Sequence, residues 1–261
     1  MFLKSLLSVN AVRFRVIRIL KKHFYQDLGI SIPVNANLWA DLVANDSFDS
    51  FSEIFIKQEY EDYLPNETPL SVVDIGANYG FFSLWLQSKH PEKKIRSLLI
   101  EASPSCCGSI EKLIQQNNLR NQFSYLNAAI GPNSIAEVEF FDRSFMAGST
   151  IPQEGNMKEK SLRISCVDEE EIISLAKSPV DLIKCDIEGS EWEFLSHYRK
   201  LITSAKYLLL EWHSWHNGGG GFNQIRNELE EIDFEIEKCS SAEPAVGKDG
   251  QVGLILAKSK L

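Results

Sequence analysis

From Leu70 onward the hydrophobic residues of this chain follow two alternating rhythms. Short apolar runs bounded by turn residues alternate with longer stretches in which apolar positions recur every three or four residues. Short apolar runs suit strands buried on both faces, and the 3.6-residue period suits amphipathic helices. Their alternation predicts an α/β fold, a parallel sheet with crossover helices. Strands are expected over 70–75, 95–101, 122–130, 135–141, 161–167, 180–186, 206–212 and 251–257. Helices are expected over 79–89, over 104–118 and from Ser190, where Phe194, Leu195, Tyr198, Leu201 and Ile202 share a face. The run Asp168 to Glu171 reads as a helix N-terminus, where the macrodipole favours negative charge. Four glycines at 218–221 precede a further helix carrying Phe222, Ile225 and Leu229 on one side. Asp233, Glu235 and Glu237 then alternate with Phe234 and Ile236, which suits a strand near a sheet edge, where charge discourages edge-to-edge pairing.

Before Leu70 the pattern is less regular. A short helix is expected around Phe51 to Tyr60, and Pro65 to Pro69 forms a turn. Residues 1–65 are therefore read as an N-terminal helical extension and residues 66–261 as the main domain. The first 26 residues hold Lys4, Arg13, Arg15, Arg18, Lys21 and Lys22 and no acid, while the remaining 235 hold 21 bases and 36 acids. The arginines break the apolar stretch too often for a secretory signal. A helix packed on the domain through Leu3, Leu6, Leu7, Phe14, Ile17 and Leu20 is one reading. A basic amphipathic anchor on an anionic membrane face, using residues 1–25, is the other.

Composition narrows the class. The chain has 261 residues, 44% hydrophobic and 24% charged, ordinary values for a globular protein. No apolar run approaches the roughly 18–20 residues that span a bilayer. Five cysteines, with no paired metal-ligand spacing, point to reduced thiols in a cytoplasmic protein. Cys106, Ile110, Leu113 and Ile114 share a helix face, so these thiols read as small core residues. The net charge of −9 argues against nucleic acid as a partner. The oligomeric state is left open.

The sharpest local motif is Val72-Val-Asp-Ile-Gly-Ala-Asn-Tyr-Gly80, a strand, a glycine turn and a helix start. A dinucleotide fingerprint would need glycines at 76, 78 and 81, where this chain has Gly76, Asn78 and Phe81. Asp74 also places a carboxylate beside the turn, a poor neighbour for a pyrophosphate and a good one for a cation. S-adenosylmethionine, with a sulfonium, an ammonium and no phosphate, fits better. Glu101, 21 residues after Gly80 at the end of the second strand, is placed to accept both ribose hydroxyls.

A second cluster ends the strand over 180–186. Asp186 and Glu188 sit at its tip before Gly189, and Glu211 and His213 end the strand beyond. In open α/β sheets ligands sit outside the carboxyl ends of the strands, so these groups converge beside the donor. Asp186, Glu188 and His213 are the candidate catalytic groups, as bases for an acceptor hydroxyl. Asp186, Glu188 and Glu211 could alternatively hold Mg²⁺ or Ca²⁺, which prefer oxygen ligands.

These segments, Asp74 to Ser83, Glu101-Ala-Ser-Pro104, Asn127-Ala-Ala-Ile-Gly131 and Asp181 to Glu191, resemble the FkbM family of methyltransferases over about residues 70–215. The resemblance implies a class I, Rossmann-like fold: a mostly parallel seven-stranded sheet with helices on both faces. It implies S-adenosylmethionine as donor and O-methylation of a sugar, glycan or natural-product hydroxyl. By that likeness donor binding falls on Asp74, Gly76, Ala77, Asn78, Gly80 and Phe81, on Glu101, Ala102 and Ser103, and on Asp186, with Asn127 and Ala128 facing the adenine. Cys185 departs from the aliphatic residue expected there. The first 65 residues and the 218–221 loop lie outside the likeness and are expected to shape the acceptor pocket. A non-catalytic donor-binding or membrane-associated partner protein is the alternative.

Overall fold

The computed structural model describes residues 11–24, 29–42, 45–132, 135–142, 148–150, 161–177, 179–214, 221–244 and 250–260. The chain begins with helix α1 (Ala11–Phe24), a hairpin of β1 (Ile30–Pro33) and β2 (Trp39–Leu42), and helix α2 (Asn45–Phe51). A π-helical turn, Ser52–Lys57, and a 3₁₀ turn, Glu61–Tyr63, lead into the domain. There follow β3 (Ser71–Ile75), α3 (Phe81–Lys89), β4 (Arg96–Glu101), α4 (Pro104–Gln116), β5 (Phe123–Asn127), β6 (Glu137–Phe140) and β7 (Leu162–Ser165). The remaining elements are α5 (Glu169–Ala176), β8 (Val180–Cys185), α6 (Glu191–His197), α7 (Arg199–Thr203), β9 (Ala205–His213), α8 (Phe222–Glu231), β10 (Phe234–Cys239), β11 (Glu243–Pro244) and β12 (Gln251–Ser259).

The main sheet runs β10-β12-β9-β8-β3-β4-β5, with β11 paired to β12. β5, β4, β3, β8 and β9 are mutually parallel, and β12 enters antiparallel between β9 and β10. This is the Rossmann-like sheet expected from the sequence, and the charged strand β10 is indeed at its edge. Chain order reverses at β3, flanked by β4 and β8, so the open ends of these strands form the switch-point crevice.

Alternation along the strands sorts residues to the two faces. Val73, Ile75, Ile183, Cys185, Leu208 and Leu210 pack with Phe194, Leu201, Ile225 and Leu229 of the helices on one side. On the other face Leu99 meets α3 and α4 through Phe81, Leu84, Ile110 and Leu113. Asp74 and Lys184, at the alternate positions of β3 and β8, are buried on this second side beneath α3.

The structure amends the expected elements in three places. The segments over 135–141 and 161–167 form the antiparallel β6–β7 ribbon outside the main sheet, with single bridges from Cys166 to Ala129 and from Phe141 to Ser149. Each buries a single side chain, Phe140 or Ile164, too little apolar surface for a strand covered on both faces. The strand over 122–130 stops at Asn127.

The extension is also not helical throughout, because Asn35 closes a hairpin by accepting N–H bonds from Asn37 and Leu38. Its two four-residue strands are too short to impose a clear period of two. Phe14, Phe48 and Phe51 of the extension share one cluster with Phe81 and Ile110 of the domain. Phe51 stacks on Phe55 at 4.6 Å and meets Phe81 edge-on at 5.8 Å.

Helix α1 packs through Phe14 and Ile17, whereas Leu20, expected on the same face, is 43% exposed. Leu3, Leu6, Leu7 and the start of the basic segment lie outside the described residues. No described helix is long and apolar enough to cross a membrane. All five cysteines are free thiols. Cys107 rather than Cys106 is the buried member of the adjacent pair, and burial pushes both thiols up to about 12.

Candidate active site

A cavity of about 320 Å³ opens at the carboxyl ends of β3, β4, β8 and β9. Its floor is the turn after β3. Gly76 and Ala77 both donate their backbone N–H to Ile100 O, and Asp186 N–H donates to Ile75 O, which ties the three strand ends together. Gly76 has φ +71°, and a Cβ there would stand 1.7 Å from the carbonyl oxygen of Asp186. Glycine is thus demanded twice, by the left-handed backbone and by the close approach of the β8 loop. Asn78 and Gly80 also adopt positive φ, turning the chain into α3.

Glu101 ends β4 at the cavity wall. Its Oε2 accepts the N–H of Asn78 at 2.7 Å and its Oε1 accepts the N–H of Ser103 at 2.7 Å. Burial raises this carboxyl above its usual range, and the two N–H donors pull it back. Asn78 Oδ1 also faces this region, buried and without a hydrogen-bond partner. Ala77, Ala102, Ser103 and Ala128 line the same end of the cavity.

The opposite end is ionic. Asp186 and Glu211, from the tips of β8 and β9, both face the cavity. Tyr60 of the extension donates its hydroxyl to Glu211 Oε2 at 2.7 Å and lies 3.4 Å from Asp186 Oδ2. Burial and the neighbouring carboxylates push the Tyr60 hydroxyl well up, so it stays a donor. Lys184 Nζ donates to Gly76 O at 3.1 Å and lies 3.4 Å from Asp186 and 3.9 Å from Asp74. Burial works against its charge, but Asp186, Asp74 and Glu211 together hold it above its usual value. Burial and the adjacent Asp186 push the Glu211 carboxyl up to about 8, against the pull of His213, Tyr60 and Lys184.

Behind this pair lies His213. Its Nδ1 is 2.9 Å from Glu191 Oε1, and its Nε2 is 3.9 Å from Glu211 Oε1. Burial disfavours the imidazolium, yet Glu191 carries its pKa up to about 10. The same Glu191 oxygen accepts the N–H groups of Ile187 and Gly189. The Asp-Ile-Glu-Gly-Ser-Glu block is therefore a folded unit: Glu188 and Gly189 make the positive-φ turn, and Glu191 both caps it and anchors His213.

The residues singled out in the sequence take different places. Gly76, Ala77, Asn78, Glu101, Ala102, Ser103, Ala128, Asp186, Glu188 and Glu211 all line the cavity. Asp74 does not: it is fully buried, accepts from Ser83 Oγ at 2.8 Å and faces Lys184. The carboxylate expected beside the donor is thus the counter-ion of a lysine. Gly80 and Phe81 pack into the core beneath the turn. Asn127 bridges the carbonyls of Glu101 and Ala102 through its amide and holds the strand end from outside. His213 stands behind Glu211 and does not line the cavity.

Among the described residues, the ligand-type atoms that come within 4.8 Å of one another belong to Asp186, Glu211 and His213, without Glu188. They already engage Lys184, Tyr60 and Glu191 through hydrogen bonds and ion pairs, so the arrangement fits a proton network better than a divalent cation. Tyr60 carries no signal in the sequence. Lys184 sits mid-strand in an apolar run, and a charge at such a position was the available clue.

A family model described as the methyltransferase FkbM domain matches residues 74–236, more than half of the chain. The chain belongs to the FkbM methyltransferase family. Among solved structures, the Pyrococcus horikoshii protein PH0793 aligns with a TM-score of 0.52 at 14% identity, over 95% of this chain and 84% of that one. Methyltransferase FkbM of Methylobacillus flagellatus KT gives 0.49 at 16% identity over 80% of this chain and 54% of its own, so this chain spans about half its length. TrmK of M. capricolum, in complex with S-adenosyl-homocysteine, gives 0.46 at 10% identity, over 78% of this chain and 67% of that one. No curated protein matches the chain in sequence.

S-adenosylmethionine is the donor of this family, and the residues present fit it. A fixed carboxylate at the end of β4 suits a ribose diol. The unpartnered Asn78 Oδ1 offers an acceptor to a bound ligand's donor group. Glu101, Asn78 and the Gly76 turn are the groups that would hold it.

Proposed function

We propose that this protein is an O-methyltransferase acting on a hydroxyl of a sugar, glycan or secondary metabolite. Bound S-adenosylmethionine supplies a methyl group on a cationic sulfur. A hydroxyl oxygen must give up its proton to take that methyl group, and a positioned base contributes roughly 10²–10⁴-fold to such a step. Glu211 is that base, and the observation that carries the reading is its placement: a cavity-facing carboxyl at the tip of β9, tied to Tyr60 and pushed up to about 8. A base of that strength balances ionised population against proton affinity near neutral pH. Asp186, held by Lys184, orients the acceptor hydroxyl from the other side. The His213–Glu191 pair fixes Glu211 from behind.

The test is incubation of the protein with isotopically labelled S-adenosylmethionine and fractionated cell extract, followed by identification of the labelled product. Label on an oxygen of a small molecule or glycan, lost with Glu211→Gln, is the expected outcome. Label on nitrogen or carbon, or on RNA, contradicts the proposal.

A further inference from the structure

Helix α1 carries more apolar surface than its packing uses. Phe14 and Ile17 turn inward, onto Phe48 and Phe51 of the extension. Val16, Ile19 and Leu20 do not: they are 51%, 56% and 43% exposed. With the exposed His23 they fall at i, i+3, i+4 and i+7, a single stripe on the side away from the packed pair. The other large apolar side chains exposed among the described residues, such as Trp39, Tyr125 and Leu175, are scattered singly over separate elements. Single exposed residues are ordinary, whereas a contiguous stripe marks a contact surface.

The charge beside the stripe has one sign. Arg15, one turn before Ile19, is exposed and makes no ion pair among the described residues. Arg18 reaches Asp49 at 2.5 Å yet keeps 47% of its side chain exposed. Lys21 and Lys22 continue the same helix, and residues 1–26 hold six bases and no acid. The remaining 235 residues hold 21 bases and 36 acids. Near an anionic surface this asymmetry turns α1 inward and the acidic body outward, because charges beyond roughly 8–10 Å are screened at physiological salt.

Two copies meeting through this face would set the same bases against each other, as an isologous contact requires. An anionic bilayer answers both features at once, the stripe through its acyl boundary and the bases through its headgroups. The 14-residue helix is too short and too polar to cross, so it would lie in the plane of the interface. We propose that α1 is an interfacial anchor, with Val16, Ile19 and Leu20 entering an anionic bilayer and Arg15 and Arg18 meeting its lipid phosphates. Anchoring does not depend on which acceptor the enzyme methylates.

The full-length protein is sedimented with phosphatidylcholine vesicles that contain or lack phosphatidylserine, at low and high salt. Its mass in solution is measured by analytical ultracentrifugation. The expected result is a monomer that sediments with the phosphatidylserine vesicles, less at high salt, and roughly tenfold more weakly with phosphatidylcholine alone. Val16→Ser/Ile19→Ser/Leu20→Ser should weaken binding roughly tenfold or more. Arg15→Gln should weaken it about fivefold, and it tests α1 even where the triple variant fails to fold. No sedimentation with either vesicle overturns the anchor. So does binding that ignores phosphatidylserine, or binding that both variants retain in full. A dimer that the triple variant dissolves gives the stripe to a second copy and overturns it as well.

Discussion

Glu191 Oε1 lies 2.9 Å from His213 Nδ1, and both side chains are almost wholly buried. A buried imidazole would ordinarily be neutral, and only a carboxylate at hydrogen-bond distance keeps it charged. The folded value of about 10 lies above the ordinary 6.5, so the pair's contribution to stability is complete below pH 6.5 and is lost as pH rises to about 10. His213→Gln should cost about 3–5 kcal/mol at neutral pH, the usual range for breaking a buried pair. Urea denaturation should show this deficit shrinking towards pH 10. Nitrogen NMR should find the imidazolium intact at pH 8, and a neutral ring there would break the argument.

If Glu211 is the base proposed above, its titration should set the pH dependence of the rate. Its carboxyl must be ionised to accept a proton, so turnover should climb with pH through about 8. The hydroxyl of Tyr60 favours the ionised form, and Tyr60→Phe should move that limb to higher pH. Kinetics across pH 6–10, roughly spanning the Glu211 titration, will show whether the limb shifts. An unshifted limb removes Tyr60 from control of the base.

Gly76→Ala should be among the most damaging substitutions in the chain. The new Cβ would stand 1.7 Å from Asp186 O at a φ of +71°. Strain and overpacking together should cost on the order of 3 kcal/mol or more. A variant that melts like wild type would mean that the β8 loop is placed differently.

Asp74 and Glu101 should separate stability from ligand binding. Asp74→Ala removes the acceptor of Ser83 and the counter-ion of Lys184, so it should lower stability by about 3 kcal/mol. Donor affinity should change far less, because Asp74 is buried away from the cavity. Thermal melts and donor titrations of the same variant distinguish the two effects. A selective loss of donor binding would return Asp74 to the site.

The parallel sheet was legible in the sequence because buried strands leave short apolar runs between helical periods. The edge position of β10 was legible from the alternating charges of Asp233, Glu235 and Glu237. The β1–β2 hairpin was not, since four residues carry too little pattern. In the site, Glu101 and Asp186 stand where strand-end reasoning puts them. For Asp74 the sequence gives proximity to the turn but not direction: alternation along β3 sends its carboxylate under α3. Tyr60 was beyond reach because it meets Glu211 across 151 positions of chain. His213 was recognised as a polar strand end, but its place behind Glu211 depends on Glu191, and that pairing is tertiary.

The central claim is that the cavity at the tips of β3, β4 and β8 holds S-adenosylmethionine through Glu101. Calorimetric titration with S-adenosyl-homocysteine tests it most directly, using wild type and Glu101→Ala side by side. The account predicts binding on the order of micromolar for wild type, as usual substrate levels suggest, and at least about tenfold weaker binding for a variant that still folds. No heat with the wild-type protein, or equal affinity in Glu101→Ala, would contradict it.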